Sequence, residues 1–204
     1  MQHKVKLTVL DKKLYPELQR EYCQDKEAGV CPCYEIGDEF IFSRYGEEDD
    51  FWHCGINTVV NRAKPAEGEE FIAGGTHYPH CAEAWDAFSR YIYTGLNGGA
   101  IMRNWMENPK VMITCCQDGT RPVIFKIERM DYYAVHVENL EENLSECEQA
   151  CNFLIDADLA RTFSVNKGFI EIYPNDDYSE YDDDFVDEIL GAFSLSGLNI
   201  TKID

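Results

Sequence analysis

The sequence lacks a long apolar run, an excess of basic charge and the common phosphate-binding and hydrolase motifs. No apolar stretch among the 204 residues approaches the roughly 20 residues that span a bilayer. Only 18 basic residues stand against 38 acidic ones, and a net charge of −20 disfavours contact with nucleic acid or an anionic membrane surface. Walker, dinucleotide-binding and G-x-S-x-G motifs are absent. We therefore expect a globular protein with neither a membrane nor a nucleic acid as its partner.

The N-terminal residues also lack the features of a signal peptide. Met1 to Val5 lead directly into a short β-like run, without an apolar segment or a small-residue cleavage site. We therefore expect an unprocessed, cytoplasmic protein.

Charge and cysteine are distributed unevenly along the chain. Residues 1–130 hold 20 acidic and 15 basic residues, whereas residues 131–204 hold 18 acidic and three basic ones. Seven of the nine cysteines precede residue 131, and no Pro/Gly/Ser-rich linker separates the two parts. This change in composition predicts two abutting domains, a cysteine-rich α+β domain at 1–130 and an acidic domain at 131–204.

Apolar periodicity predicts the elements of the first domain. They are strands at 5–10 and 37–42, helices at 14–23 and 84–96, and a hairpin of strands 111–116 and 122–128. The first helix would bury its apolar face, and Asn97-Gly98-Gly99 would end the second one. Residues 43–80, rich in glycine and acidic residues, predict a long loop or insertion without an assigned role.

The second domain has the order β-α-β-β-α-β. Its predicted elements are strands at 132–137, 161–165, 169–173 and 198–203, with helices at 141–155 and 183–193. That order predicts a ferredoxin-like sandwich, a fold that occurs in metal chaperones, ligand sensors and scaffolds and so does not give the function.

Four stretches carry a resemblance to a known family. They are KVKLTVL at 4–10, CPCYEIGDEF at 31–40, CAEAW at 81–85 and CCQDGTRPVIFKIER at 115–129. Residues 4–130 resemble an uncharacterised prokaryotic family known only as a repeat-protein family. The resemblance implies that Cys31, Cys81 and the Cys115-Cys116 pair are family features, and it implies no activity. The last 70 or so residues more weakly resemble heavy-metal-associated domains.

Cysteines in a reducing compartment favour metal binding or redox chemistry over structural disulfides. Cys81 follows His77 and His80 and precedes a predicted helix, whose N-terminal amides make a thiolate more available. In Cys31-Pro32-Cys33 a turn at proline would let both sulfurs reach one metal; we favour Cys31 and leave Cys33 open.

Cys115 and Cys116 should point to opposite faces of their strand. With Asp118-Gly119 as a two-residue turn, Cys116 would lie opposite Arg121, whose guanidinium favours the thiolate. Cys115 would then lie in the core. A strained disulfide between the two is the alternative.

The other cysteines are interpreted as structural. Cys23 extends the first helix, and Cys54 has no partner at a recognisable spacing. Cys147 and Cys151 fall on the apolar stripe of a helix, and no C-x-x-C occurs in the loop at 138–143 where heavy-metal-associated domains bind metal. The acidic run at 176–184 lacks EF-hand spacing and predicts a solvated loop.

The leading hypothesis is a thiolate site for Zn²⁺ or another soft transition metal. Cys31, Cys81 and Cys116 would bind the metal with His80 or His77 as a fourth ligand, while Arg121 and Asp118 would tune the thiolates. The alternatives are an enzyme with a cysteine of low pKa and a scaffold or ligand sensor with structural cysteines only. The second domain would be an accessory module or form a homodimer through its sheet.

Overall fold

The computed structural model describes residues 1–43, 81–175 and 182–204. These residues form a mixed α/β structure with four helices: α1 (Pro16–Tyr22), α2 (Ala82–Leu96), α3 (Leu144–Asp156) and α4 (Asp183–Leu195). The strands are β1 (Gln2–Lys12), β2 (Glu39–Ser43), β3 (Val111–Cys115), β4 (Val123–Val137), β5 (Ala160–Asn166), β6 (Phe169–Pro174) and β7 (Ile200–Ile203). They belong to one seven-stranded antiparallel sheet. None of the helices in the described ranges is long and apolar enough to cross a membrane. The loop or insertion expected at 43–80 lies, apart from Ser43, outside the described residues.

The chain divides into two compact units. The first unit contains residues 4–130, and the second contains residues 131–204 together with residues 1–3. The division falls within β4, which takes part in the strand pairing of both units. Whether each unit is an independent domain stays a prediction.

The first unit is built on strands in the order β2-β1-β4-β3. Alternating residues of β1 and β4 face a core that the apolar side of α2 covers, as its spacing predicts. Fully buried members of this core are Val5, Leu7, Phe88, Ile92, Phe125 and Ile127. Gly95 lets α2 approach β1, because a Cβ atom there would lie 2.6 Å from Val5 Cγ2.

The prediction that α1 buries its apolar face is wrong. Leu14, Tyr15 and Tyr22 are exposed, and the buried residue of this helix is Gln19. Its side-chain amide donates to the Gly29 carbonyl at 2.9 Å and accepts from the Gly29 N–H at 3.1 Å. The buried side of α1 is therefore determined by hydrogen bonds to the next loop, and the spacing of apolar residues does not predict such bonds.

The predicted hairpin is present, but its register differs by two residues. Cys115 pairs with Ile124, whereas a two-residue turn would pair it with Pro122. The connection is longer because the Asp118 carboxylate accepts from the backbone N–H groups of Thr120 and Arg121, at 2.9 and 3.2 Å. The expectation that Cys115 lies in the core is also wrong, since it is exposed while Cys116 is buried.

The second unit has strands in the order β7-β4-β6-β5, with all three pairings antiparallel. Helices α3 and α4 contact each other and share one core with the strands. The expectation that Cys147 and Cys151 are buried is confirmed, at 0% and 1% exposure. Burial raises the pKa of both thiols, that of Cys151 to about 12.

Two polar features complete the second unit. The Asp182 carboxylate accepts from the N–H groups of Asp184 and Phe185, at 2.9 and 3.3 Å, and so caps α4. Residues 176–181 of the acidic run lie outside the described residues. Beside β7, the Asp204 carboxylate pairs with Lys202 Nζ at 2.7 Å and with His136 Nε2 at 3.4 Å.

Candidate thiolate site

The loop that carries Cys31 and Cys33 is fixed to β1 by backbone hydrogen bonds. The Gly37 N–H donates to the Val9 carbonyl, and the Val9 N–H donates to the Asp38 carbonyl, both at 2.8 Å. The buried Asp38 carboxylate accepts from the Glu35 N–H at 2.8 Å, and Gly37 supplies the positive φ of +92° that this turn needs. The loop is therefore held in one conformation ahead of β2.

The chain bends at Pro32 and Cys33, and this bend brings two thiols together. The Cys31 side chain lies close enough to Cys33 to raise the pKa of the Cys33 thiol. A bend at the middle residue is the condition that a C-x-C pair must meet to reach one ion. The sequence favours Cys31 and leaves Cys33 open, whereas this bend makes both thiols candidates.

Cys81 lies at the N-cap of α2, and its carbonyl accepts from the Trp85 N–H at 3.0 Å. Its sulfur makes no capping hydrogen bond, so the thiol is not used to end the helix. The Gln117 N–H donates to the Glu83 carbonyl at 3.2 Å. This bond ties the first turn of α2 to the residues after β3, and so brings Cys81 towards Cys116.

Cys116 continues β3 by one residue and is buried, at 7% exposure. Its N–H donates to the Val123 carbonyl at 3.1 Å, and the Val123 N–H donates to its Sγ at 3.3 Å. Burial raises the pKa of the Cys116 thiol, and the N–H groups of Val123 and Asp118 only partly offset this effect. The expectation of a favoured thiolate at Cys116 is therefore wrong for the metal-free protein.

Arg121 has a different thiol partner from the predicted one, because the hairpin register differs. Its Nε donates to the Asp118 carboxylate at 3.1 Å. Burial alone would lower the pKa of Arg121, but the pairing with Asp118 outweighs burial and raises that pKa. The guanidinium also interacts with the sulfurs of Cys31 and Cys33. Hydrogen bonds from Thr120 and Arg121 outweigh the effect of burial and lower the pKa of Asp118.

Thiols from three separate stretches of sequence thus lie near one another: Cys31 and Cys81 pack against the core that contains Cys116, and both affect the pKa of Cys33. Burial raises the pKa of Cys33 to about 11, and the neighbouring sulfurs of Cys31 and Cys81 add to this effect. Cys31 and Cys81 likewise contribute to the raised pKa of Cys116. Each additional thiolate in such a group is disfavoured by the others unless a cation compensates the charge.

Tyr34 lies beside these thiols and is 2% exposed. Burial raises its pKa strongly, and the charge of the Cys81 sulfur and a weak contact between that sulfur and the hydroxyl add to the shift. The hydroxyl oxygen has no hydrogen-bond partner of good geometry within the described ranges. The ring packs edge-on against Phe125, with centroids 5.3 Å apart, and against Phe40 at 6.2 Å.

A cavity of about 430 Å³ opens beside the turn at Asp118. Its lining includes Glu83, Gln117, Asp118 and Arg121, together with Gln19 and Cys23. Arg121, whose guanidinium interacts with the sulfurs of Cys31 and Cys33, is one of these residues, whereas none of the four thiols lines the cavity.

The structure therefore brings together three of the predicted ligands, Cys31, Cys81 and Cys116, and adds Cys33. Predicted ligands His77 and His80 lie outside the described residues. As the side chains stand, no three His, Cys, Asp or Glu groups in the described ranges are arranged to hold a metal ion. Tyr34 was not a candidate, because nothing in the sequence distinguishes it from a core aromatic residue.

Comparison of the chain with protein-family models, with curated proteins and with solved structures finds no match.

Proposed function

We propose that the first unit binds a soft divalent metal ion, with Zn²⁺ as the best candidate, through the thiolates of Cys31, Cys33, Cys81 and Cys116. The observation that carries the proposal is the convergence of these four thiols from a loop, a helix N-terminus and a strand end. Four thiolates are a common ligand set of structural zinc sites, in which the ion is tetrahedral and fully enclosed by protein ligands.

The surroundings of the thiols suit a bound cation. A bound zinc ion would deprotonate its cysteine ligands, and so would offset the burial and the neighbouring sulfurs that raise the pKa values of Cys33 and Cys116. Four thiolates around one divalent ion leave a net negative charge. The guanidinium of Arg121, beside Cys31 and Cys33, would partly compensate it.

Binding would require the cysteine side chains to rotate, because they do not stand in a coordinating arrangement here. Three of the four thiols are not fully buried, so the change need not disturb the core. Cys116 is held by the backbone of β4 and would be the fixed point of the site.

The raised pKa values of Cys33 and Cys116 argue against the alternative of an enzyme that uses either as its nucleophile. A nucleophilic cysteine is reactive because its thiolate is favoured at neutral pH, whereas burial here favours the thiol. A scaffold with structural cysteines would not require thiols from three stretches of the chain to converge.

Metal analysis of the freshly purified full chain tests the proposal. We expect about one equivalent of zinc per chain, as a single four-ligand site requires, and its loss in Cys81→Ala. Replacement of zinc by Co²⁺ should give the visible absorption of tetrahedral cobalt with thiolate ligands. A chain that binds neither ion, and whose thiols include one that reacts unusually fast, would contradict the proposal and favour the enzyme.

We also propose that the second unit is a ferredoxin-like sandwich that serves as an accessory module. The strand order β7-β4-β6-β5 and the shared core of α3 and α4 support this assignment. Its two cysteines, Cys147 and Cys151, are in the core, so neither is placed to bind a metal ion. A homodimer formed through its sheet stays a prediction, which sedimentation of the full chain would test.

A further inference from the structure

We propose that the Tyr34 hydroxyl is part of the metal site and donates a hydrogen bond to the sulfur of Cys81 once that sulfur is a metal-bound thiolate. Tyr34 is then a positioning residue that acts through Cys81 and raises the affinity for the metal. The inference rests on the proposed function, and its test separates the two.

The position of the hydroxyl is fixed by the packing of the ring. Phe40 and Phe125 hold the Tyr34 ring edge-on, and Lys12 Nζ donates to the Tyr34 carbonyl at 2.7 Å. The side chain is 98% buried, since its residue is 2% exposed. The ring is therefore fixed with its hydroxyl near the Cys81 side chain, which packs against the same core.

Among the described residues the hydroxyl has no hydrogen bond of good geometry, although it lies near the Cys81 sulfur. An unpaired buried hydroxyl destabilises a protein, because it gives up its hydrogen bonds to water without replacement. A phenylalanine would fill the same apolar space without this loss. The presence of tyrosine at this place is accounted for if the hydroxyl is paired in another state of the protein.

A metal-bound thiolate supplies that partner. A neutral thiol is a weak acceptor, whereas a charged thiolate forms the stronger, charge-assisted type of hydrogen bond. Metal binding would thus pair the orphaned hydroxyl and stabilise the charge on sulfur in the same step. Hydrogen bonds from groups outside the ligand set commonly change metal affinity by about 10- to 100-fold.

The test is Tyr34→Phe in the full chain, with Zn²⁺ affinity measured by competition with a chromogenic chelator. We expect the affinity to fall roughly ten-fold, at the lower end of the range for such groups. The metal-free variant should melt at the same temperature as the metal-free parent or higher. In the Co²⁺ form, the sulfur-to-metal charge-transfer band should move to longer wavelength, because the thiolate loses a hydrogen bond.

Tyr91→Phe is the matched control, since Tyr91 packs partly buried against the same core and its hydroxyl contacts Arg90 at 3.4 Å. It should leave the affinity and the Co²⁺ spectrum unchanged. If Tyr34→Phe binds both ions as the parent does, the inference is wrong and the proposed function stands. If Tyr34→Phe lowers the stability of the metal-free protein and does not shift the band, the hydroxyl has only a structural role, which also overturns the inference. A parent chain that binds no metal overturns both.

Discussion

Cys115 and Cys116 are consecutive in the chain, yet Cys115 is exposed, whereas Cys116 is only 7% exposed and its sulfur accepts a hydrogen bond from the Val123 N–H. The alternation of side chains along a strand separates them. Only Cys116 belongs to the group of thiols that includes Cys31 and Cys81.

Because only Cys116 belongs to the proposed site, its substitution tests the site and the same substitution at Cys115 is the matched control. Cys116→Ser should lower zinc affinity by more than ten-fold, because a ligand is lost and outer partners alone commonly account for about that factor. Cys115→Ser should bind zinc as the parent does. Titration of both metal-free variants with Zn²⁺ would measure the difference, and equal losses in the two would mean that the sulfur of Cys116 is not a ligand.

The two helix glycines Gly95 and Gly191 should respond to alanine with opposite signs. In Gly95→Ala the new Cβ would lie 2.6 Å from the buried Val5 side chain. Overpacking of this kind costs about 1–3 kcal/mol, which outweighs the gain in helix propensity of about 1 kcal/mol. A Cβ atom at Gly191 would have no described atom within 4 Å apart from its chain neighbours and its own helix backbone, so Gly191→Ala should stabilise the protein by about 0.5–1 kcal/mol. Urea unfolding checks both, and a stable Gly95→Ala would show that β1 can move away.

The cap of α4 predicts a graded response at Asp182. Asp182→Ala removes the acceptor of two backbone N–H groups and should cost about 1 kcal/mol of unfolding free energy. Asp182→Asn keeps an acceptor and should cost only roughly a few tenths of a kcal/mol of unfolding free energy. Asp187→Ala, an exposed change on the same helix, should stay within about 0.5 kcal/mol. Equal melting temperatures for Asp182→Ala and Asp187→Ala would contradict the assigned cap.

The ion pair at Asp204 predicts a pH dependence. The hydrogen bond from Lys202 lowers the pKa of Asp204 below its usual value. Because the folded-state pKa is depressed, the stabilisation is present above the unfolded pKa of about 3.9 and is lost as pH falls through the folded value. An NMR titration should therefore place the midpoint for Asp204 below that of a free aspartate, and Lys202→Met should move it upward. The stability difference should be below about 1 kcal/mol, since the pair is partly exposed. A midpoint that Lys202→Met leaves unchanged would argue against the pair in solution.

Much of the fold follows from periodic patterns in the sequence. The spacing of apolar residues along 84–96 predicts both the helix and its buried face, and the order of elements after residue 131 is as expected. Periodicity reports which residues avoid water, so it succeeds where apolar burial decides the structure. It fails at Gln19, whose burial depends on two hydrogen bonds to Gly29.

The site could be predicted only in part, for a related reason. The helix N-terminus identified Cys81, but the side-chain bonds of Asp118 changed the turn and so the position of Arg121. The contact between Cys31 and Cys33 depends on the bend between them, and a C-x-C spacing alone does not fix that bend. Tyr34 is distinguished only by the unpaired hydroxyl, which is a property of the packed structure.

Because Cys147 and Cys151 are buried, chemical modification of their thiols can report the opening of the second unit. Both sulfurs are in its core and their thiols are held protonated, so an alkylating reagent can reach them only when this unit opens. Under conditions where closing is faster than alkylation, the rate at which they are modified reports the free energy of that opening. The thiols of residues 31, 33, 81 and 116 lie in the first unit and would report metal occupancy on the same mass spectrum. One labelling experiment can therefore follow both the loss of the proposed metal ion from the first unit and the opening of the second unit.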